Sequence, residues 1–279
     1  MPPRQTAAMA VSSSSSPVPE SAALTRAMTT SPANADKIGG EFLVNTIVAQ
    51  EQYYPIAKGL PGGGFVVAWT DARVNNSDDT MPTAVRAQIF SAAGSKVGNE
   101  FLVNSEPGEQ FFQSITVLAS GNFVIGWSER TGPVEVKGQI FSPTGAKIGA
   151  EFRISTTTTN NHEHVSLAAL PDGGFLASWR NATGIGNYGD DGEILAQLFN
   201  ASGAKVGGEF MVNVGTAGGQ SLPQVASFGS GDFVIAWLEF MSTADDFKAR
   251  TYFSLTSGTN EGEVFAGTEE RHFYRGVGG

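Results

Sequence analysis

The order of hydrophobic and polar residues repeats four times along the chain. Each copy has an apolar strand before a glycine turn, a strand that ends in tryptophan, and a strand written VRAQIF or similarly. A short glycine hairpin and a strand of the EFLVN type follow. Four short strands in roughly 55 residues are typical of a propeller blade. The pattern predicts an all-β, β-propeller-like fold with four repeats of about four antiparallel strands. The tryptophans are Trp69, Trp127, Trp179 and Trp237.

The tryptophan strand is apolar on both faces. Phe65, Val67 and Trp69 point to one face, and Val66 and Ala68 point to the other. Such a strand favours burial between stacked sheets. The residue before each tryptophan is small, which permits a neighbouring sheet to approach closely. Three alternatives remain open: an open repeat array, a fragment of a larger propeller, and tandem small sandwiches, although a seven-stranded sandwich needs more residues than one repeat has.

The composition divides the chain into three parts. Residues 1–38 are rich in Ser, Ala, Pro and Thr, which predicts a disordered tail. Residues 39–265 form the repeat β domain, with repeats at approximately 39–97, 98–148, 149–206 and 207–265. Residues 266–279 are expected to form a loose C-terminal tail.

One EFLVN strand, Glu41–Asn45, has no tryptophan strand before it. A degenerate copy lies near Phe265. An unpaired strand at a sheet edge is a liability. We therefore expect the first copy to complete the last sheet, which would displace the degenerate copy and close a ring of four sheets. The competing arrangement pairs Phe265 with its own repeat and leaves an open half-ring that associates with another molecule.

The charge and cysteine content exclude several classes of function. The chain has 279 residues, a net charge of −10 and no cysteine. A nucleic-acid partner is not expected, because it needs a basic surface. The absence of cysteine excludes disulfides, thiolate metal sites and a cysteine nucleophile. Membrane insertion is not expected either, because no apolar run approaches the roughly 18 residues of a membrane span.

Paired aspartates occur after the tryptophan strand in three repeats. Equivalent loops of a propeller emerge on one face, where several carboxylates would attract calcium, which prefers oxygen ligands. The alternative interpretation is that Asp, Asn and Gly are simply good loop residues. The candidate metal ligands are Asn187, Asp190, Asp191, Asp78, Asp79, Asp245 and Asp246.

The segment His162, Glu163 and His164 is the only cluster of histidines. Histidines at i and i+2 of a strand share a face, so the pair is a candidate for metal binding. His162, however, stands where the other three repeats have glutamine. The repeat therefore favours a hydrogen-bonding role in the structure.

Two further sets of polar residues recur with the repeat. Gln88, Gln139 and Gln197 are candidates for binding a sugar, but the interpretation that we favour is that they satisfy backbone groups between strands. Paired glutamates are of interest for glycoside cleavage. The recurrence in every repeat indicates a structural role instead for Glu41, Glu100, Glu151 and Glu209.

The repeat GGEFLVN…GGGFVVAW…VRAQIF over residues 39–265 resembles the tandem repeats of bacterial RTX and type I secretion-type extracellular proteins. The segment Tyr188–Phe199, YGDDGEILAQLF, matches that pattern best. The calcium-binding nonapeptides of that family are absent here. The resemblance implies an extracellular or cell-surface protein, linked to calcium and exported without a recognisable N-terminal signal peptide.

These observations lead to two hypotheses about function. The first is a non-catalytic extracellular repeat module for adhesion or ligand binding, linked to calcium, with a carbohydrate or cell-surface ligand. The alternative is a propeller-type glycoside-active enzyme with a site at the central axis. An enzyme should break the repeat symmetry and bring at least two carboxylates from unlike positions into one axial pocket, which is the feature that distinguishes the two.

Overall fold

A computed structural model of the chain describes residues 40–48, 51–72, 83–106, 108–184, 192–215, 218–240, 245–255, 263–267 and 272–274. These residues form four antiparallel sheets in chain order. Within these ranges, no helix is long and apolar enough to cross a membrane.

The first three sheets have four strands each, and the fourth sheet has five. Sheet 1 contains β1 (Glu51–Gly59), β2 (Phe65–Ala72), β3 (Thr83–Phe90) and β4 (Lys96–Leu102). Sheet 2 contains β5 (Glu109–Val117), β6 (Phe123–Arg130), β7 (Val134–Phe141) and β8 (Lys147–Arg153). Sheet 3 contains β9 (Asn161–Ala169), β10 (Phe175–Ala182), β11 (Glu193–Phe199) and β12 (Lys205–Met211). Sheet 4 contains β13 (Gly219–Ser227), β14 (Phe233–Phe240), β15 (Asp246–Leu255), β16 (Glu263–Gly267) and β17 (His272–Tyr274).

Consecutive sheets stack face to face along the chain. The apolar core between sheets 1 and 2 contains Val66 and Val85 from one sheet and Ile125 and Trp127 from the other. Similar cores join sheet 2 to sheet 3 and sheet 3 to sheet 4. The first strands β1, β5, β9 and β13 contact one another in that order, so they form the inner edge of the stack. The all-β, propeller-like fold is confirmed, and the tandem sandwiches are excluded.

The four tryptophans are buried, as the sequence predicts: Trp127, Trp179 and Trp237 lie in these cores, and Trp69 lies in a smaller apolar cluster of sheet 1. Their side chains are no more than 6% exposed. The small residue before each tryptophan permits this packing. At Gly126, an added Cβ atom would lie 3.2 Å from Leu167 of the next sheet and 3.3 Å from Ile154. Both faces of the tryptophan strand are therefore buried because each contacts apolar groups of a neighbouring sheet.

The recurrent glutamines satisfy backbone groups, as expected. In sheets 1, 2 and 3 the pairing of the third and fourth strands is interrupted by a bulge beside the glutamine. The amide of Gln139 donates to the carbonyl of Ile140 at 2.9 Å and to that of Ile148 at 3.1 Å. Gln88 and Gln197 make the same two contacts in their own sheets. The buried amide thus replaces hydrogen bonds that the bulge removes.

The prediction of ring closure by the first EFLVN strand is wrong. Glu41–Asn45 does not pair with β15; instead β15 pairs with β16, where Phe253 lies opposite Phe265. Phe42 packs on sheet 1, with its ring centroid 5.4 Å from that of Phe90. Strands β16 and β17 extend sheet 4, and the loose tail expected for residues 266–279 stays a prediction.

Candidate functional site

The inner edge of the stack carries one strained residue in each sheet. Tyr54, Phe112, His164 and Leu222 have positive φ values of 53°, 52°, 56° and 51°. They occupy equivalent positions at bulges in β1, β5, β9 and β13. A side chain other than glycine is rare in this conformation, which costs on the order of 1–3 kcal/mol per residue. The same backbone device is kept in every sheet, whereas the side chains that it presents differ.

Contacts between sheets hold the first strained residue in place. The amide of Gln113 on β5 donates a hydrogen bond to the carbonyl oxygen of Tyr54 on β1. The hydroxyl of Thr70 donates to the other end of the same amide at 2.9 Å. Strain persists where surrounding contacts determine the conformation. The bulges therefore form a rigid edge.

Aromatic rings form a row across sheets 1, 2 and 3. The ring centroids of Tyr54 and Phe112 lie 5.3 Å apart, and those of Phe112 and His164 lie 4.1 Å apart. Tyr53 and Phe111 flank the row at 6.1 Å and 5.1 Å. These spacings are those of favourable aromatic contacts. The row presents a continuous apolar surface at the inner edge.

A cleft of about 320 Å³ opens beside this row. The rings of Tyr53, Tyr54, Phe111 and Phe112 line it. Its polar lining comes from Thr70, Thr83, Glu109, Gln110, Arg130 and Glu163. Two carboxylates, one from β5 and one from β9, thus line one cleft together with aromatic rings. This combination of an apolar wall with a few convergent polar groups is typical of small-molecule sites.

Glu109 and Arg130 form the solvent-facing polar pair of the cleft. The guanidinium of Arg130 lies 2.8 Å from the carboxylate of Glu109, and both side chains are about two-fifths exposed. Arg130 also lies over the ring of Phe111, 5.7 Å from its centroid. The ring and the carboxylate together fix the position of the guanidinium.

Glu163 is the buried carboxylate of the cleft, and it lies beside Arg180 and His164. The Glu163 side chain is 1% exposed, and its carboxylate lies 3.7 Å from the guanidinium of Arg180, which is 0% exposed. His164 lies 4.0 Å from the same carboxylate. Burial and then the nearby charge of Arg180 lower the pKa of His164 to about 4. His164 is therefore neutral at neutral pH.

The expectation that His162 and His164 share one face is wrong. The bulge in β9 falls between Glu163 and Ser166 and turns His164 towards Phe112. His162 instead accepts a hydrogen bond from the indole of Trp179 at 3.0 Å and contacts the hydroxyl of Thr157 at 3.2 Å. The structural role of His162 is thereby confirmed. Burial lowers its pKa to about 4, with smaller contributions from two nearby cations.

The recurring glutamates connect neighbouring segments of the chain. Glu100 accepts a hydrogen bond from the backbone of Thr46 at 2.7 Å, and Glu209 accepts one from Thr156 at 2.9 Å. These contacts support the structural role expected from their recurrence.

Most of the predicted calcium ligands lie outside the residues that the structure describes. Asp78, Asp79, Asn187, Asp190 and Asp191 lie outside them. Asp245 and Asp246 are exposed at the start of β15. Within the described ranges, no group of three or more His, Asp and Glu side chains could hold a metal ion. Calcium binding, export and RTX-type kinship stay predictions.

Sequence reasoning missed Glu109, Arg130 and Arg180 and left Glu163 without a role. A signal was present for Arg130, Arg180 and Glu163, because each departs from its repeat, whereas Glu109 has an equivalent in Glu51 of sheet 1. Arg180 stands where the other sheets have Thr70, Ser128 and Leu238, and Glu163 stands where they have Tyr53, Phe111 and Ser221. Departures of this kind mark the inner edge as the place where the repeat carries chemistry.

Comparison of the sequence with protein-family models and with curated proteins gives no match. Solved structures share the fold. A protein of unknown function from Dyadobacter fermentans is 11% identical, with a TM-score of 0.56 over 84% of this chain and 82% of that chain. The Hadza microbial sialidase Hz136 is 9% identical, with a TM-score of 0.51 over 77% of this chain and 52% of that one. A xylan β-1,4-xylosidase from Bacillus halodurans is 12% identical, with a TM-score of 0.48 over 74% and 42%.

These comparisons correct the first of our two functional hypotheses. The solved structures that share the fold include a carbohydrate-acting enzyme, the sialidase. That finding contradicts the expectation of a non-catalytic module for adhesion or ligand binding and favours the alternative.

Proposed function

We propose that the chain is a carbohydrate-acting enzyme that cleaves glycosidic bonds in the cleft at its inner edge. The observation that carries the proposal is that Glu109 and Glu163, from unlike repeat positions, line one cleft walled by aromatic rings. Glycoside cleavage ordinarily needs a pair of carboxylates on either side of the scissile bond. Aromatic rings suit the apolar face of a sugar ring. The fold shared with the sialidase supports this proposal.

The surroundings of the two carboxylates suggest how they divide the work. Glu163 is buried beside Arg180, whose guanidinium lies 3.7 Å from its carboxylate. It is our candidate for the base or nucleophile, because an ionised carboxylate is needed for either role. Glu109 is partly exposed beside Arg130 and is our candidate for the second carboxylate of the pair. Tyr54 and Phe112 would orient the sugar between them.

The proposal is tested by measuring reducing ends released from polysaccharides such as xylan, and aryl groups released from aryl glycosides, sialosides included. Glu163→Gln and Glu109→Gln should each lower the rate by roughly 10²–10⁴-fold, which is the usual contribution of acid–base catalysis. The matched control is Glu135→Gln. Glu135 also pairs with an arginine, Arg153, at 2.8 Å, but lies outside the cleft.

The control variant should keep the full rate. The proposal fails if the protein neither cleaves nor binds any of these carbohydrates, or if both cleft variants remain as active as the parent protein.

A further inference from the structure

The outer edge of sheet 4 differs from the same edge of the other sheets. In the third strand of sheets 1, 2 and 3, the residue opposite the one that follows the tryptophan is Val85, Val136 or Ile194, and each is 0% exposed. Phe247 holds the equivalent position on β15 and is 87% exposed. The residues beside it, Lys248 and Ala249, are exposed as well. The first half of β15 therefore lacks the cover that its counterparts have.

The cover in the other sheets is a strand of the EFLVN type. In sheet 1, Leu102 lies opposite Arg86, and Phe101 lies opposite Ala87. In sheet 4, β16 pairs only with Thr251–Leu255, the second half of β15. Among the described residues, none pairs with Lys248 or Ala249 on this edge. An exposed edge of this kind is a template for another strand.

The segment Glu41–Asn45 has the sequence of the strand that pairs with this edge in the other sheets. Its letters, EFLVN, are identical to those of residues 100–104 in sheet 1. Within the described residues it belongs to no sheet. Its phenylalanine nevertheless packs on sheet 1 as if it were the outer strand of a preceding sheet. The Phe42–Phe90 centroid distance of 5.4 Å equals the Phe101–Phe141 distance at the junction of sheets 1 and 2.

The polar contacts of this segment repeat those of the internal junctions. Lys96 donates to the hydroxyl of Thr46 at 3.2 Å, as Lys205 donates to that of Thr156 at 2.7 Å. The segment thus contacts sheet 1 in the way that the fourth strand of one sheet contacts the next sheet, and its other side remains exposed. Phe42 and Leu43 are 52% and 68% exposed.

The faces at the two ends of the stack are also incomplete. Strand β6 is almost wholly buried, whereas β14 alternates between buried and half-buried residues. Strand β1 is largely exposed, whereas β9 is buried. In the part of the chain that the structure describes, no sheet thus follows sheet 4, and sheet 1 has only part of a preceding one.

We infer that a second copy of this chain fills both gaps by head-to-tail association. Residues 41–45 of one copy pair with the first half of β15 of the other, and sheet 1 of the first copy stacks on sheet 4 of the second. The register of sheet 1 places Leu43 opposite Lys248 and Phe42 opposite Ala249. Neither position overlaps β16. Because this contact joins unlike surfaces, association of two copies closes when each donates its segment to the other.

Engineered cysteines test this register, since the chain has no cysteine of its own. Full-length Leu43→Cys and Lys248→Cys variants are mixed, oxidised and examined by denaturing electrophoresis. We expect a cross-linked species of twice the 29.2 kDa of one chain. Val44→Cys mixed with Lys248→Cys is the matched control. A shift of one residue moves a side chain to the other face of a strand, so this pair should not cross-link.

The size of the parent protein gives a second, independent measurement. Light scattering should show a mass above that of one chain, and Leu43→Pro, which removes a backbone donor, should lower it. A single-chain mass at all protein concentrations would overturn the inference. So would a Leu43→Cys, Lys248→Cys double variant that cross-links only within one chain, because the segment would then belong to its own sheet 4.

Discussion

Sheets 2 and 3 have the same arrangement of four strands, but the polar side chains around their tryptophans differ. In sheet 2 the indole of Trp127 donates to Glu129 at 3.3 Å, and Glu129 forms a buried ion pair with Lys137. In sheet 3 the indole of Trp179 donates to His162 instead. Asn181 and Leu195 stand where sheet 2 has the acid and the lysine.

The difference shows how one sheet of a repeat can carry a functional site while its strand arrangement stays the same. Sheet 3 satisfies its tryptophan with a neutral imidazole and needs no buried ion pair behind it. Its buried charges, Glu163 and Arg180, lie one strand position away, and Glu163 lines the cleft. In sheet 3 the hydrogen bond of the tryptophan and the buried charges thus involve different residues. Four predictions test this difference between the two sheets.

The largest effect is expected where the two sheets are alike. Trp127→Ala and Trp179→Ala should each lower the free energy of unfolding by about 3–5 kcal/mol, because both side chains are 0% exposed. Urea unfolding measures the loss, with the exposed Phe247→Ala as the control. An unchanged midpoint for either tryptophan variant would contradict the stacked-sheet core.

The next effect should appear in sheet 2 alone. Glu129→Gln removes the buried partner of an ion pair and should cost about 2 kcal/mol, since the partly exposed Lys137 loses its counter-charge and Trp127 loses a charged acceptor. Asn181→Ala, at the equivalent position of sheet 3, should cost about 1 kcal/mol or less. Equal losses in urea unfolding would show that the two networks are not different in kind.

The glutamines at the bulges should matter equally in both sheets. Gln139→Ala and Gln197→Ala each leave two backbone carbonyls without their donor, which should cost about 1–3 kcal/mol. Thermal or urea unfolding measures both. A loss confined to one sheet would indicate that the amide has a further role there.

The smallest effect concerns pH. The pKa of His162 is about 4 in the folded protein against 6.5 for an unperturbed histidine. The unfolded chain therefore takes up a proton first as the pH falls, and stability decreases from pH 6.5 towards pH 4. Each such histidine contributes up to about 1.4 kcal/mol per pH unit. His162→Gln restores the residue of sheet 2 and should reduce the slope of stability between pH 6.5 and 5.

His164 provides the internal reference for that measurement, because its pKa is also lowered to about 4. The His162→Gln variant should keep the remaining part of the slope. A slope identical to that of the parent protein would mean that His162 is not buried in its neutral form.

The repeated pattern of residues in the sequence determined the strands, the turns and the buried residues of this protein. The burial of Trp127 and the role of Gln139 follow from the sequence, because a requirement of the backbone is recorded in several repeats. Strand number, glycine turns and the small residue before each tryptophan follow for the same reason. The fourfold repetition distinguishes structural residues from chance.

Only the tertiary structure decided which residues meet. Glu109 and Glu163 lie in different repeats and share a cleft because adjacent inner strands pack together and a bulge redirects β9. The sequence likewise left two arrangements of Phe265 open, and the structure pairs it with Phe253 of its own repeat. A sequence records which segments favour strands, but the edge that each segment joins depends on competition between edges across the whole fold.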